Sequence, residues 1–174
     1  MKKLIAVIVL SVLALSLVAC GAANSSPIAA AEAYIKASSN YDVAATVDLM
    51  PDFQLAEIAK LLGLSEDASR SEIIKKSTEK LDAYKKASPE DFKEHVIKDL
   101  KCTVEKEINK GDAGFEAELD KYIGFFSESV IAKIDKDKVE AFATVKASAN
   151  VDGEADDQTV TCVKYDGKWY MWDA

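Results

Sequence analysis

The spacing of apolar residues changes near the middle of the chain, and that change limits the fold more than any other feature. From Ile28 to Tyr84 apolar side chains recur at three- and four-residue intervals, as on one face of a helix. From Val96 to Ile108 they alternate. The even positions there read Val, Lys, Leu, Cys, Val, Lys, Ile and the odd ones are almost all polar, which is the period of a strand with one face covered. A helical interval returns at Phe115, Leu119, Tyr122, Ile123 and Phe126. Strands are then predicted over 130–134, 139–151, 159–165 and 168–172, with a turn at Asp135-Lys136-Asp137-Lys138. Asp166-Gly167 between the last two is a hairpin signal, because both turn residues need positive φ.

Punctuation agrees with the periods. Ser26-Pro27 pairs an N-cap with a proline suited to a first helical turn, opening a helix with Ile28, Ala31, Tyr34, Ile35 and Ala37 on one face. A short helix is expected from Asp42 to Leu49, stopped by Pro51, and a third over Phe53 to Leu62, closed by Gly63. Ser69-Arg70-Ser71-Glu72 has capping-box spacing and starts a fourth helix bearing Ile73, Ser77, Leu81 and Tyr84. Ser88-Pro89 begins one further turn. Helices followed by an antiparallel sheet of about four to five strands imply an α+β domain with the helices packed on a sheet face. The domain is expected over 28–174, without internal repeats.

The N-terminus has a separate organisation. Met1-Lys2-Lys3 precedes an uncharged apolar run from Leu4 to Ala19, short for a membrane-spanning helix and laid out like a secretory signal peptide. The run ends in Leu17-Val18-Ala19-Cys20, followed by Gly21, which resembles the lipobox of bacterial lipoproteins. The resemblance implies that residues 1–19 are a cleaved signal, that cleavage falls between Ala19 and Cys20, and that the Cys20 thiol carries the lipid. It thereby implies a palmitate-type acyl anchor on the extracytoplasmic side of the cell membrane. An uncleaved anchor, or an ordinary signal with a chance cysteine, is the alternative. Two or three acyl chains hold a protein durably where one does not, each buried methylene contributing about 0.8 kcal/mol. Residues 20–27 read as a small, flexible tether.

The full chain of 174 residues carries 22 basic and 30 acidic side chains, a net charge of −8; without residues 1–19 the net charge is −10. Such a balance disfavours nucleic acid, whose phosphates need clustered Lys and Arg. It also predicts repulsion from an anionic lipid surface, so that the domain stands off from the bilayer.

The segments Ala30-Ala31-Glu32-Ala33-Tyr34-Ile35-Lys36-Ala37 and Val163-Lys164-Tyr165-Asp166-Gly167-Lys168-Trp169-Tyr170 resemble the two ends of nuclear-transport-factor-two-like domains. In those cone-shaped folds helices fill the hollow of a curved sheet; a cystatin-like meander is the alternative. The resemblance implies an interior that some relatives use for catalysis through Asp, Tyr or His, for which Tyr34, Tyr122 and Asp120 are the candidates. It also allows a dimer across an exposed sheet face.

Motifs for chemistry are otherwise scarce. His95 is the one histidine, so a multi-imidazole zinc site within one chain is impossible, and it reads as a solvated surface residue. No nucleophile elbow, phosphate loop, dinucleotide fingerprint or C-x-x-C pattern occurs. Cys102 and Cys162 fall in predicted strands; they form either a disulfide, which requires neighbouring strands, or two buried thiols. Asp152-Gly153-Glu154-Ala155-Asp156-Asp157 lacks the EF-hand spacing and reads as a solvated turn, as do Asp135 and Asp137. Alternation sets Trp169 and Met171 on one face of the last strand and Tyr170 and Trp172 on the other, either as core on both sides or as core and groove. No catalytic residue, metal or cofactor is expected. The leading expectation is a membrane-anchored, non-enzymatic module that binds a protein or a small molecule. A small cone-fold enzyme and a self-associating structural lipoprotein, as a homodimer, are the alternatives.

Overall fold

The Ser26 hydroxyl accepts from the Ala29 N–H at 3.1 Å and Pro27 occupies the first turn, so the first helix, α1, runs Pro27–Ser39. These coordinates are a computed structural model that describes residues 23–92 and 95–172. Asp42 caps α2 (Val43–Asp48) through Ala45 N–H at 2.9 Å. Helix α3 (Asp52–Leu61) follows Pro51 and stops before Gly63, whose φ of 73° only a glycine adopts freely. Ser69 and Glu72 form the expected reciprocal capping box of α4 (Arg70–Ala87). A 3₁₀ turn (Pro89–Asp91) leads towards β1 (Ile97–Asn109). Helices α5 (Phe115–Ile123) and α6 (Glu128–Ile131) and a second 3₁₀ turn (Lys136–Lys138) precede β2 (Val139–Val151), β3 (Glu154–Tyr165) and β4 (Lys168–Trp172).

The strands form one antiparallel sheet in the order β1-β2-β3-β4. Two Asp-Gly turns close its hairpins. Asp166-Gly167 has φ values of 51° and 77° as anticipated, and Asp152-Gly153, with 54° and 97°, does the same between β2 and β3. The β2–β3 and β3–β4 turns therefore lie at opposite ends of the sheet, called below the tip end and the hairpin end.

The expected helix layer on the sheet is α1. It covers Ala141, Ala143, Val145, Ala147, Cys162, Trp169 and Met171 with Ala30, Ala31, Tyr34 and Ile35. A second layer on the opposite face was not anticipated. There Phe53 of α3 and Phe115, Leu119 and Tyr122 of α5 pack on Ile108, Phe142, Val163 and Trp172. A third cluster ties α2, α3 and α4 together through Val43, Val47, Leu55, Ala59, Ile73 and Leu81. Both faces of β4 are thus core: Trp169 and Met171 belong to one cluster and Trp172 to the other, with Tyr170 half-buried beside it.

Four expectations need correction. Residues 130–134 are not a strand: the chain turns helically at Glu128–Ile131, where Val130 and Ile134 reach the aromatic cluster from a compact turn. The even positions of β1 are not uniformly buried: Leu100 and Cys102 are half-buried beside α1, Val96 and Val104 are exposed, and Ile108, beyond the register shift between Val104 and Lys106, is covered on the other face by α5. The acidic run is a turn only at Asp152-Gly153, since Glu154 to Asp157 already pair with β2. The tether is not free up to Ser26: Asn24 is bonded to β4, its carbonyl accepting from Trp169 N–H at 3.0 Å and its side chain donating to the Trp169 carbonyl at 2.7 Å.

The two sheet edges are handled differently. On β4, Trp169 and Met171 donate outward to the carbonyls of Asn24 and Leu49, so loop segments occupy that edge. β1 keeps an open edge, interrupted by register shifts between Lys98 and Lys101 and between Val104 and Lys106, with Asp99 at a φ of 55°. Irregularities and charges of this kind discourage edge-to-edge pairing with other chains.

Candidate functional site

The hairpin end holds a cleft of about 540 Å³ between α3, the α3–α4 loop and the β3–β4 hairpin. That size lies within the range of small-molecule sites. Its position follows from the local sequence. Pro51 starts α3 beside β4 and sets Phe53 over the sheet, while the Asp166-Gly167 turn brings Tyr165 and Tyr170 onto the same face. Phe53 meets Tyr165 edge-on, with ring centroids 5.0 Å apart. Tyr165 and Tyr170 are half-buried, and their hydroxyls have no hydrogen-bond partner among the described residues. Burial, reinforced by the Asp52 carboxylate, pushes the Tyr170 phenol above its ordinary pKa, so it remains a neutral donor at neutral pH.

The rim is ionic. Lys133 lies 3.0 Å from Asp67 and 3.6 Å from Glu66, and Lys138 lies 3.1 Å from Asp166. Hydrogen bonds to Asp67 and Asp166, respectively, hold these two lysines above the usual ammonium range. Hydrogen bonds from Lys60 and then Ser129 hold Glu66 below the usual carboxylate range. A polar network fastens the α3–α4 loop to α6. Lys60 donates to Ser127 (2.8 Å) and pairs with Glu66 (2.8 Å), and Ser127 donates to Glu57 (2.7 Å). On the remaining side the Arg70 guanidinium donates to the carbonyls of Val47 and Met50 and to Asp52 (2.7 Å), joining α2, α3 and α4. An arginine suits this place because its planar fork donates in several directions at once.

Few of these residues stand out in the sequence. Tyr170 was singled out as an aromatic of the last strand. Phe53, Glu66, Lys133, Lys138 and Arg70 were not singled out for a site. The signal present for Arg70 was that it is the one arginine in the chain.

The structure does not bring the earlier candidates together. Tyr34 lies under α1 on one sheet face, Tyr122 is fully buried on the other, and Asp120 points outward from α5. Burial raises the pKa of Tyr122, whose hydroxyl has no partner among the described residues and whose ring packs edge-on to Trp172 with centroids 4.9 Å apart. His95 is exposed as expected, but its Nδ1 lies 2.6 Å from Asp152, whose other oxygen accepts from Val96 N–H. Asp135 caps the second 3₁₀ turn and Asp137 lies within it. Among the described residues, no cluster of His, Cys, Asp and Glu could hold a metal ion.

Of the two arrangements open to Cys102 and Cys162, the bridge is not formed: both thiols are free, Cys162 buried and Cys102 half-buried. Cys102 is on β1 opposite Ala147 and Cys162 is on β3 opposite Ala143, so β2 separates them, and a disulfide needs neighbouring strands. Burial pushes the Cys162 thiol up to about 12, the neighbouring Cys102 adding to it. The expected cleavage and acylation at Ala19 and Cys20 lie outside the described residues.

No helix among the described residues is long and apolar enough to cross a membrane. Comparison of the chain with protein-family models, with curated proteins and with solved structures finds no match.

Proposed function

We propose that the chain is an exported lipoprotein, acylated at Cys20 and held on the extracytoplasmic side of the cell membrane, whose domain binds a polar ligand or a protein side chain without transforming it. The signal-like run and lipobox-like Leu17-Val18-Ala19-Cys20 support the placement. The observation that carries the binding reading is the cleft at the hairpin end, lined by two half-buried tyrosines, whose hydroxyls are unengaged among the described residues, together with carboxylates and lysines. Aromatic faces with a few convergent polar groups suit a ligand that carries both a flat apolar side and hydrogen-bonding or charged substituents. The rim groups suit binding better than proton transfer, because Glu66 stays ionised and Lys133 and Lys138 stay protonated around neutral pH.

Two measurements test this. Labelling cells with a fatty-acid analogue should tag the protein and leave Cys20→Ala untagged; an untagged wild-type protein removes the anchor. A thermal-shift panel of amino sugars, amines and short peptides should raise the wild-type midpoint for at least one class and not that of Tyr170→Ala. A variant that responds like wild type removes the cleft from the reading.

A further inference from the structure

Asn24 is fastened to the outer edge of β4 through its carbonyl and its side-chain amide, and Ala23 packs against the cluster under α1. The ordered body of the protein therefore begins close after Cys20. The four residues from Cys20 to Asn24 span at most about 14 Å even when fully extended. The domain is much longer than this leash. Trp169, to which Asn24 is bonded, pairs with Lys164 of β3, and the ten residues from Lys164 back to Glu154 cover about 33 Å.

We infer that the corner built from Asn24, Trp169 and the Asp166-Gly167 hairpin faces the lipid surface, and that the β2–β3 tip points away from it. This rests on the acylation of Cys20 proposed above. Charge acts in the same sense. The tip carries Asp99, Asp152, Glu154, Asp156 and Asp157 against Lys98, Lys101 and Lys146, an acidic surplus that an anionic bilayer repels, whereas at the hairpin corner Lys136, Lys138 and Lys168 are matched by Asp135, Asp137 and Asp166. The cleft shares that corner through Lys138, Tyr165, Asp166 and Tyr170. It therefore opens in the layer next to the bilayer, and a ligand reaches it there rather than from the distant solvent.

The test uses the full protein, expressed with its own N-terminus, purified from membranes and reconstituted into vesicles of phosphatidylcholine and phosphatidylglycerol. Exposed lysines are acetylated and the rates read by mass spectrometry, with the soluble Cys20→Ala protein as reference. Lys168 and Lys136 should react at least threefold more slowly on vesicles, and Lys98 and Lys101, near the tip, at unchanged rates. Inserting twelve Gly/Ser residues between Ala22 and Ala23 should abolish the difference. Equal slowing at both ends, or slowing that survives the insertion, overturns the orientation. The mass of the N-terminal peptide reports acylation separately. If Cys20 carries no lipid, the reading under Proposed function fails, and the orientation is measured on protein coupled through the Cys20 thiol to maleimide-bearing phospholipid, with the same two outcomes.

Discussion

The hairpin end and the tip end of the sheet are built from the same long strands but differ in what covers them. At the hairpin end Phe142, Val163 and Trp172 lie against α3 and α5, α1 covers Ala143, Cys162 and Trp169 on the reverse, and Asn24 and Leu49 close the β4 edge. At the tip end β4 has stopped: it pairs only with Thr161 to Tyr165, so β3 from Glu154 to Val160 has an open outer side. The row Lys101, Ser148, Asp157 crosses the tip end on the face away from α1, and its contacts are of the kind Lys146 makes with Asp157 at 3.2 Å. Exposed ion pairs contribute roughly 0–1 kcal/mol, far less than buried aromatic rings. Strand length therefore says little about where this fold is strong; two-sided cover decides it, and the tip belongs to the part that opens most easily.

The largest test of that contrast compares a truncation under two-sided cover with one on open strand surface. Trp172→Ala should lower the unfolding free energy by about 3–5 kcal/mol in urea titration, as buried aromatic truncations do. Val104→Ala, on exposed β1 surface, should cost less than about 1 kcal/mol. Similar losses would break the comparison. Arg70→Ala should cost about 2 kcal/mol, because it leaves the Val47 and Met50 carbonyls without their charged donor. Arg70→Lys should recover little of this, since an ammonium cannot serve three acceptors in a fork. Tyr122→Phe should stabilise by about 1 kcal/mol, seen as a higher urea midpoint at an unchanged slope, because it removes a buried hydroxyl without a partner. A loss of stability there would reveal a bonded hydroxyl.

The smallest effect is at the tip and depends on pH. Hydrogen bonds from His95 and Val96 hold Asp152 below its ordinary pKa, and those from Ser148 and Lys146 do the same for Asp157. Carboxyls depressed in the folded state stabilise it above their unfolded pKa near 4, and this is lost as pH falls through the folded value. Asp152→Asn with Asp157→Asn should therefore lower stability slightly at pH 7 to 8 and make its decline below pH 4 shallower, the two proteins converging in acid. An identical acid limb in the double variant would show that the tip pairs do not contribute.

Much of this architecture is legible in the residues. Ser26-Pro27, the Ser69–Glu72 box, Gly63 and Asp166-Gly167 each satisfy a local backbone requirement, and each marks an element where the structure has one. The turn at Asp152-Gly153 carries the same dipeptide signal, and the acidic run around it reads as a solvated turn, although Glu154 to Asp157 already belong to β3. Val130 and Ile134 misled for another reason. A five-residue stretch that is apolar except for Lys133 suits a short helix and a short strand equally, and only the long-range aromatic cluster decides between them. The cleft was the least legible part. Phe53, Glu66, Lys133 and Tyr165 are far apart in sequence and meet because α3 and the hairpin pack together, a tertiary fact with no local signature.

The two Asp-Gly turns also bear on how the molecule ages. In a slack chain a glycine nitrogen after aspartate can lose its proton and close on the side-chain carboxyl carbon with loss of water, and hydrolysis of the resulting ring at its other carbonyl leaves a kinked isoaspartyl linkage. Here the Gly153 N–H is engaged by the Asn150 side chain at 2.9 Å and the Gly167 N–H by the Glu140 carboxylate at 2.7 Å, so each nitrogen keeps its proton while the turn is intact. Chemical wear at these sites is thereby coupled to local opening, and the sparsely covered turn at Gly153 becomes the clock that runs first.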